Sequence, residues 1–524
     1  MKRISFTLVA AIALLSCEHV DIDSGPGNYS NTLSHDEIVL GRQLEDPFKT
    51  ENVSKALAAL YPTKADRLPL ENTDYYVRFL PENQSEFDRL KGLGLELLDH
   101  PVDFEILKEG DWYHDPAVDE EEITWQYAVV PKNFEFPKDI RYQILHGCYL
   151  ANNDPGTKAD GLDWDAIERK SYELTGNGAL VEDASGTKAI DRVTPSGRIT
   201  IKDPDYAGGK PFGVSGVMVS CNSFVKFAKA YTDRDGYYTM NKSYTSKVRY
   251  RLVFKNEKDF SIGLNLILVP ASVSTLGRSG PEGVSLNVTK DSEAKLYRRC
   301  VVNNAVYDYI SRCTEADMGV SAPPGDMRIW ILPSVSASSC PMLHHGTVIS
   351  QPLIAGFLGA YSILVKLFSP DVTIGLGDGD DYDSIYALVT HEFAHSSHYA
   401  VSGNAFWDPY IKYILTSYVF SGSTYGTGQE DGANYCEVGE MWAYYLSSLM
   451  YKERYGGELR DFGGSYWFKP QILRYLHQRG VRRETIFAAL RTGVTDISSF
   501  RTALIQLAPA KRSVIEQAFS LYGK

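Results

Sequence analysis

Alternating apolar and polar positions mark strands at Tyr75–Leu80, Phe104–Leu107 and Ile123–Val130, the last closed by Pro131. Ser85–Leu93 and Asp165–Leu174 instead carry apolar residues at helical spacing, so residues 35–177 predict an N-terminal α+β domain. Residues 178–209 are rich in Gly, Ser, Thr, Asp and Pro and predict a linker or long loops. From 210 to 284 the pattern is β, with Val214–Val219, Ala230–Tyr238 and the period-two run Lys247–Phe254, and Asp235-Gly236 predicts a hairpin turn. Beyond 285 the pattern mixes again. Helices are predicted over Ser292–Cys313, Ser384–Ala400 and Tyr435–Leu446, strands over Met327–Leu332 and Pro370–Leu376, an acidic turn over 377–383, and a loop over 401–434. Trp467–Leu521 reads as amphipathic helices separated by Gly480, Gly493 and Pro509. The fold class predicted is multidomain α+β.

The first 17 residues stand apart from this pattern. Lys2 and Arg3 precede an apolar run, Ile4–Leu15, too short to span a bilayer as a mature helix. The run ends Leu14-Leu15-Ser16-Cys17, which resembles a bacterial lipobox. The resemblance implies export, cleavage before Cys17 and acylation of its thiol, with the lipid bilayer as partner, and the acidic residues that follow Cys17 hint at sorting to the outer membrane. Polar residues 18–34 then read as a tether. In composition, the region from 35 to 177 resembles the N-terminal part of lipoproteins of gut-type Bacteroidetes.

A chain of 524 residues exceeds one ordinary core, and a net charge of −13 with no offsetting basic face argues against a nucleic-acid partner. Of seven cysteines, the six after Cys17 form no C-x-x-C pair; buried free thiols are expected, although an exported protein could form disulfides.

The chemistry concentrates in His391-Glu392-Phe393-Ala394-His395. On a helix, residues four apart lie on one face about 5.4 Å apart, so both imidazoles can share one Zn²⁺ while Glu392, about 100° round, reaches an activated water. The continuation lacks the Gly and His of a metzincin. His398 lies about 4.5 Å further along a continuous helix than His395, which favours a place beside the cleft over ligation. Residues 325–455 resemble gluzincin-type zinc metallopeptidases, and residues 210–284 resemble the small β-sandwich that accompanies many carboxypeptidases. The first resemblance implies a zincin-like α+β catalytic domain over 285–524, a peptide or protein substrate, and a third ligand from the next helix. Glu440-Met-Trp-Ala443 matches the expected E-x-x-A form, with Glu437 as its rival one turn earlier. An oxyanion donor is also needed; His398, Tyr435 and Tyr425 are the candidates. Glu392 is the expected general base. The alternatives are a scaffold lipoprotein with a decayed peptidase domain, which the intact His391, Glu392 and His395 count against, and a zinc hydrolase of a non-peptide amide. The acidic run 377–383 reads as a helix cap before a Ca²⁺ loop, since it lacks EF-hand spacing, and the His344-His345 pair reads as structural. Oligomeric state is left open.

Overall fold

The computed structural model describes residues 37–524, apart from 66–67, 111, 120–121, 155–160, 184, 187, 264–271, 317, 334–337, 349–368, 378, 422, 424, 461 and 463. The expected leader over 1–17, with Cys17, and the tether over 18–34 lie outside the described residues.

The N-terminal part contains β1 (Val39–Gln43), α1 (Thr50–Leu60), β2 (Asp74–Leu80), α2 (Gln84–Gly92), β3 (Phe104–Lys108), β4 (Gln126–Pro131), β5 (Arg141–Cys148) and α3 (Trp164–Leu174). β2 runs antiparallel between β4 and β5, and β1 pairs with β3. The β2 sheet and α2 share a core of Val77, Phe79, Leu90, Ala128 and Val130, while α1 and α3 meet through Val53, Ala56, Leu57 and Ile167. The period-two and helical stretches expected before residue 177 thus form the element types their spacing implies.

Next come β6 (Ser196–Ile201), β7 (Phe212–Gly213), β8 (Val217–Ser223), β9 (Lys226–Tyr231), β10 (Tyr237–Thr239), β11 (Val248–Asn256), β12 (Phe260–Gly263), β13 (Val273–Ser279) and β14 (Leu286–Val288). They are followed by α4 (Ala294–Thr314), β15 (Met327–Pro333) and β16 (Val372–Leu376). Among the described residues a seven-stranded mixed sheet runs β16-β15-β12-β11-β8-β9, with β13 also paired to β11. A smaller sheet runs β10-β6-β14, with β7 on β6.

Three expectations change here. The stretch read as linker supplies β6, the centre of the smaller sheet, whose Ile199 and Ile201 are fully buried. Its polar neighbours Ser196, Arg198 and Thr200 mask so short an apolar signal. The turn at Asp235-Gly236 forms, yet β10 pairs with β6 rather than closing a hairpin on β9. Gly236 sits at φ +85°, and a Cβ there would run into the Ile199 carbonyl, so this close approach needs glycine. Finally, the strands over 210–284 are divided between the two sheets, and β12 pairs in parallel with β15. One apolar core continues from Ile199 through Leu252 and Ile329 to Phe519, so the boundary expected near 284 runs through a shared sheet and a shared core.

The C-terminal helices are α5 (Tyr382–Ser402), α6 (Asn404–Ser421), α7 (Ala433–Tyr455), α8 (Gln471–Gln478), α9 (Arg483–Ala488), α10 (Ile497–Leu507) and α11 (Arg512–Leu521). Breaks at Gly480, Gly493 and Pro509 fall where expected. The region from 401 to 434, expected as a loop, is largely α6. Pro409 reads as a breaker, but it costs few hydrogen bonds near a helix start, and buried Phe406, Trp407, Tyr410 and Tyr413 hold the helix in the core. α5 lies between α4, α6 and α7, and every residue from Val389 to Tyr399 is buried. A helix buried on all sides must satisfy its polar groups internally. Among the described residues no helix is long and apolar enough to cross a membrane.

Candidate metal centre

The buried, apolar strand β16 delivers the chain to the start of α5, where Asp381 and Ser384 form a capping box. The neighbouring acids are occupied locally. Asp381 pairs with Lys290, Asp380 accepts the Gly377 N–H at 2.6 Å, and Asp383 accepts the Tyr451 hydroxyl at 2.8 Å. These contacts agree with the capping reading of 377–383. Gly403, at φ +64°, terminates α5 and turns the chain into α6.

Two hydrogen bonds hold α5 in rotation, and a third anchors the neighbouring α6. Tyr309 of α4 meets Ser397 Oγ at 2.7 Å, Trp407 Nε1 of α6 donates to the Cys340 carbonyl at 2.8 Å, and Trp442 Nε1 of α7 donates to the Ala394 carbonyl at 2.9 Å. The first and last grip α5 directly, and the ring of Trp407 packs against His395 at 5.8 Å between centroids. His391 and His395 are thereby turned toward α7, with ring centroids 4.9 Å apart.

Glu440 lies between them. Its Oε2 is 3.4 Å from His391 Nε2 and its Oε1 is 3.5 Å from His395 Nε2, and all three side chains are buried. A charge-assisted hydrogen bond would be shorter, about 2.7–2.9 Å. Ligand atoms about 2.0–2.1 Å from a tetrahedral zinc stand about 3.3–3.4 Å apart, close to these separations. Glu440 Oε2 and both ring nitrogens of His395 are also buried without a hydrogen-bond partner among the described residues. Two imidazoles and one carboxylate therefore fit a divalent zinc-like ion, and the three form one of two groups in the described chain able to hold a metal.

No family model matches the chain, and comparison with curated proteins finds no relative. The functional reading of the centre rests on its own geometry.

The electrostatics agree with the donor set. Burial opposes charge on Glu440, but the His395 and His391 imidazoles outweigh it and hold the carboxyl well below its usual range. Burial pushes His391 down from its usual value, which keeps a nitrogen lone pair available for a metal. Tyr410 of α6 donates to Glu440 Oε1 at 2.5 Å, fixing the carboxylate from behind. Gly439 makes room for this contact: a Cβ there would stand 3.3 Å from the Tyr410 ring and 3.9 Å from His395 Cε1.

The other expected residues fall in different places. Glu392 is fully buried on α5. Glu437, the rival ligand, pairs instead with the Lys524 ammonium and is absent from the cluster. His398 is fully buried, its ring 4.4 Å from that of Phe406, and neither nitrogen finds a hydrogen-bond partner among the described residues. Tyr435 packs on Phe406 at 5.3 Å. Tyr425, from the turn before α7, meets the Tyr444 hydroxyl at 3.3 Å, and the Tyr444 ring stands edge-on to His391 at 4.6 Å. Sequence reasoning misses Tyr444, although it lies one turn after Glu440 on the same helix face. It misses Tyr410 because the stretch that forms α6 reads as a loop. Exposure rises from His395 (1%) through His391 (4%) to half-buried Tyr444. His344 and His345 contact Asp326 and Asp371 and stay outside both metal-capable clusters. The six cysteines of the described chain are thiols, five of them buried, as their spacing led one to expect.

Proposed function

We propose that the chain is a zinc-dependent metallopeptidase of gluzincin type, exported and held at a bacterial outer membrane by acylation of Cys17. The observation that carries the catalytic reading is the Glu440 carboxylate spanning the two α5 imidazoles at 3.4 and 3.5 Å, with Glu392 on the next position of the same helix. His391, His395 and Glu440 would hold the metal. When bound, Zn²⁺ lowers the pKa of water from about 15.7 towards about 7 and polarises the scissile carbonyl. Glu392 takes the proton of the attacking water and returns it to the leaving amine. Its burial keeps that carboxylate out of competing bulk solvent. Tyr444, whose ring stands edge-on to His391 and whose hydroxyl meets that of Tyr425, is the residue we assign as donor to the developing oxyanion. A peptide or protein is the substrate class.

Glu392→Gln tests this reading. The variant is expected to keep its metal and to lose hydrolysis of a mixed peptide library by at least the roughly 10²-fold that a general base contributes. Undiminished cleavage by pure variant protein would remove Glu392 from the mechanism.

A further inference from the structure

We propose that the N-terminal part carries a second, structural zinc site made of Asp46, His146 and Cys148, separate from the α5–α7 centre. His146 and Cys148 are two apart on β5 and project to one face of the strand. Asp46 reaches that face because the segment before α1 crosses the end of β5. A bridge between Lys49 and Cys148 and a hydrogen bond from the Tyr149 N–H to the Phe48 carbonyl, 2.9 Å, hold the crossing in place.

The side chains converge. His146 Nε2 is 3.4 Å from Asp46 Oδ2, His146 Nδ1 is 3.4 Å from Cys148 Sγ, and one ligand atom from each residue lies within 4.8 Å of the others. The two 3.4 Å contacts engage different nitrogens of His146, and one ion takes only one of them. Around a tetrahedral zinc ligand atoms stand about 3.3–3.6 Å apart, so gathering Asp46 and Cys148 about a single nitrogen takes side-chain movement of about 1 Å from a set already within 4.8 Å. Asp46 and Cys148 are fully buried. Asp46 Oδ1 accepts the Phe48 N–H at 2.8 Å, but Oδ2 faces the imidazole with no hydrogen-bond partner among the described residues, and neither has His146 Nε2. Asp46 Oδ2 and His146 Nε2, buried and unpartnered, thus stand at a ligand–ligand separation.

Charge points the same way. Lys49 and Glu45 neutralise each other at 3.1 Å, and Asp103 is a further buried acid nearby, hydrogen-bonded to Gln43. A divalent cation would balance the Asp46 carboxylate and a Cys148 thiolate, with His146 neutral; burial raises both acids, so binding releases a proton from each to solvent. The mixed S, N and O donors favour zinc over magnesium or calcium. A nucleophilic Cys–His–Asp arrangement is excluded by the complete burial of Cys148, which no substrate carbonyl reaches.

The test uses the full chain, stripped with chelator and titrated with Co²⁺. A cobalt–thiolate bond gives a near-ultraviolet charge-transfer band that the His391–His395–Glu440 donors cannot give. The expected result is that band together with two metal equivalents per chain. Cys148→Ser should abolish the band and one equivalent, whereas Glu440→Ala should remove the other equivalent and keep the band. Should Cys148→Ser not fold, His146→Gln, which retains the thiol, must also abolish the band. Wild-type protein that shows no band, or a band that survives either N-terminal substitution, overturns the proposal and leaves the peptidase reading untouched.

Discussion

Replacing Tyr410 by Phe removes one hydroxyl from a buried aromatic contact and leaves the ring in place between His395, Phe406 and Trp407. That hydroxyl donates to Glu440 Oε1 at 2.5 Å, and burial with Glu440 beside it raises the phenol well above its usual pKa, so it remains a donor throughout the working range. A hydrogen bond to a charged group is worth about 1.5–3 kcal/mol. At about 1.4 kcal/mol per factor of ten, its full loss corresponds to about 10- to 150-fold in metal affinity. The zinc-free carboxylate loses the same donor, so affinity reports only the share that orients Glu440 for the ion. Loss of such supporting contacts at metal sites commonly costs about 10- to 100-fold, and that is the expected result. The remainder, at most about 1.6 kcal/mol, should appear as lower stability of the metal-free protein. Competition for zinc against a chelator of known affinity measures the first quantity, and urea unfolding in excess chelator the second. If Tyr410→Phe binds zinc within about threefold of the parent at this site and unfolds at the same urea concentration, the role given to α6 is refuted.

Two further outcomes separate neighbouring residues. Glu440→Ala should abolish stable zinc binding at the α5–α7 centre, whereas Glu437→Ala, which removes only the partner of Lys524, should leave that zinc stoichiometry at one; metal analysis on chains already carrying Cys148→Ser reads this site alone. His398 supplies a pH test on the metal-free chain. Burial, then the neighbouring His395, pushes it down to about 3, so the folded protein keeps it neutral while the unfolded chain takes up a proton below about 6.5. Its contribution is therefore complete above about pH 6.5 and is lost, at about 1.4 kcal/mol per pH unit, as pH falls from there towards about 3. His398→Phe should shrink the drop in unfolding free energy between about pH 7.5 and pH 5 by about 2 kcal/mol. An unchanged drop would mean that His398 reaches water in the folded state.

What could be read in advance followed from how far apart in the chain the interacting residues lie. His391 and His395 share one helix, and helical geometry alone places them together. The alternation that predicted β2 and β11 worked for the same reason, since period two acts within a strand. Across elements the reading weakened. Glu437 and Glu440 are three residues apart on α7, too near in angle for periodicity to choose between them. Their neighbours choose: Lys524 meets the first, and the imidazoles and Tyr410 meet the second. Gly439 eases the second meeting, since a side chain there would crowd the Tyr410 ring at 3.3 Å. A glycine inside a helix costs about 1 kcal/mol relative to alanine, so its position beside a candidate ligand was itself a signal that something packs closely there. The same logic extends to Asp46, far in sequence from the two β5 residues it faces. No spacing rule joins position 46 to position 146; only the crossing of the chain over the end of β5 does. A ligand set confined to one helix can be recognised from its letters, whereas a set completed from another element has to be sought where packing leaves a buried polar atom without a partner.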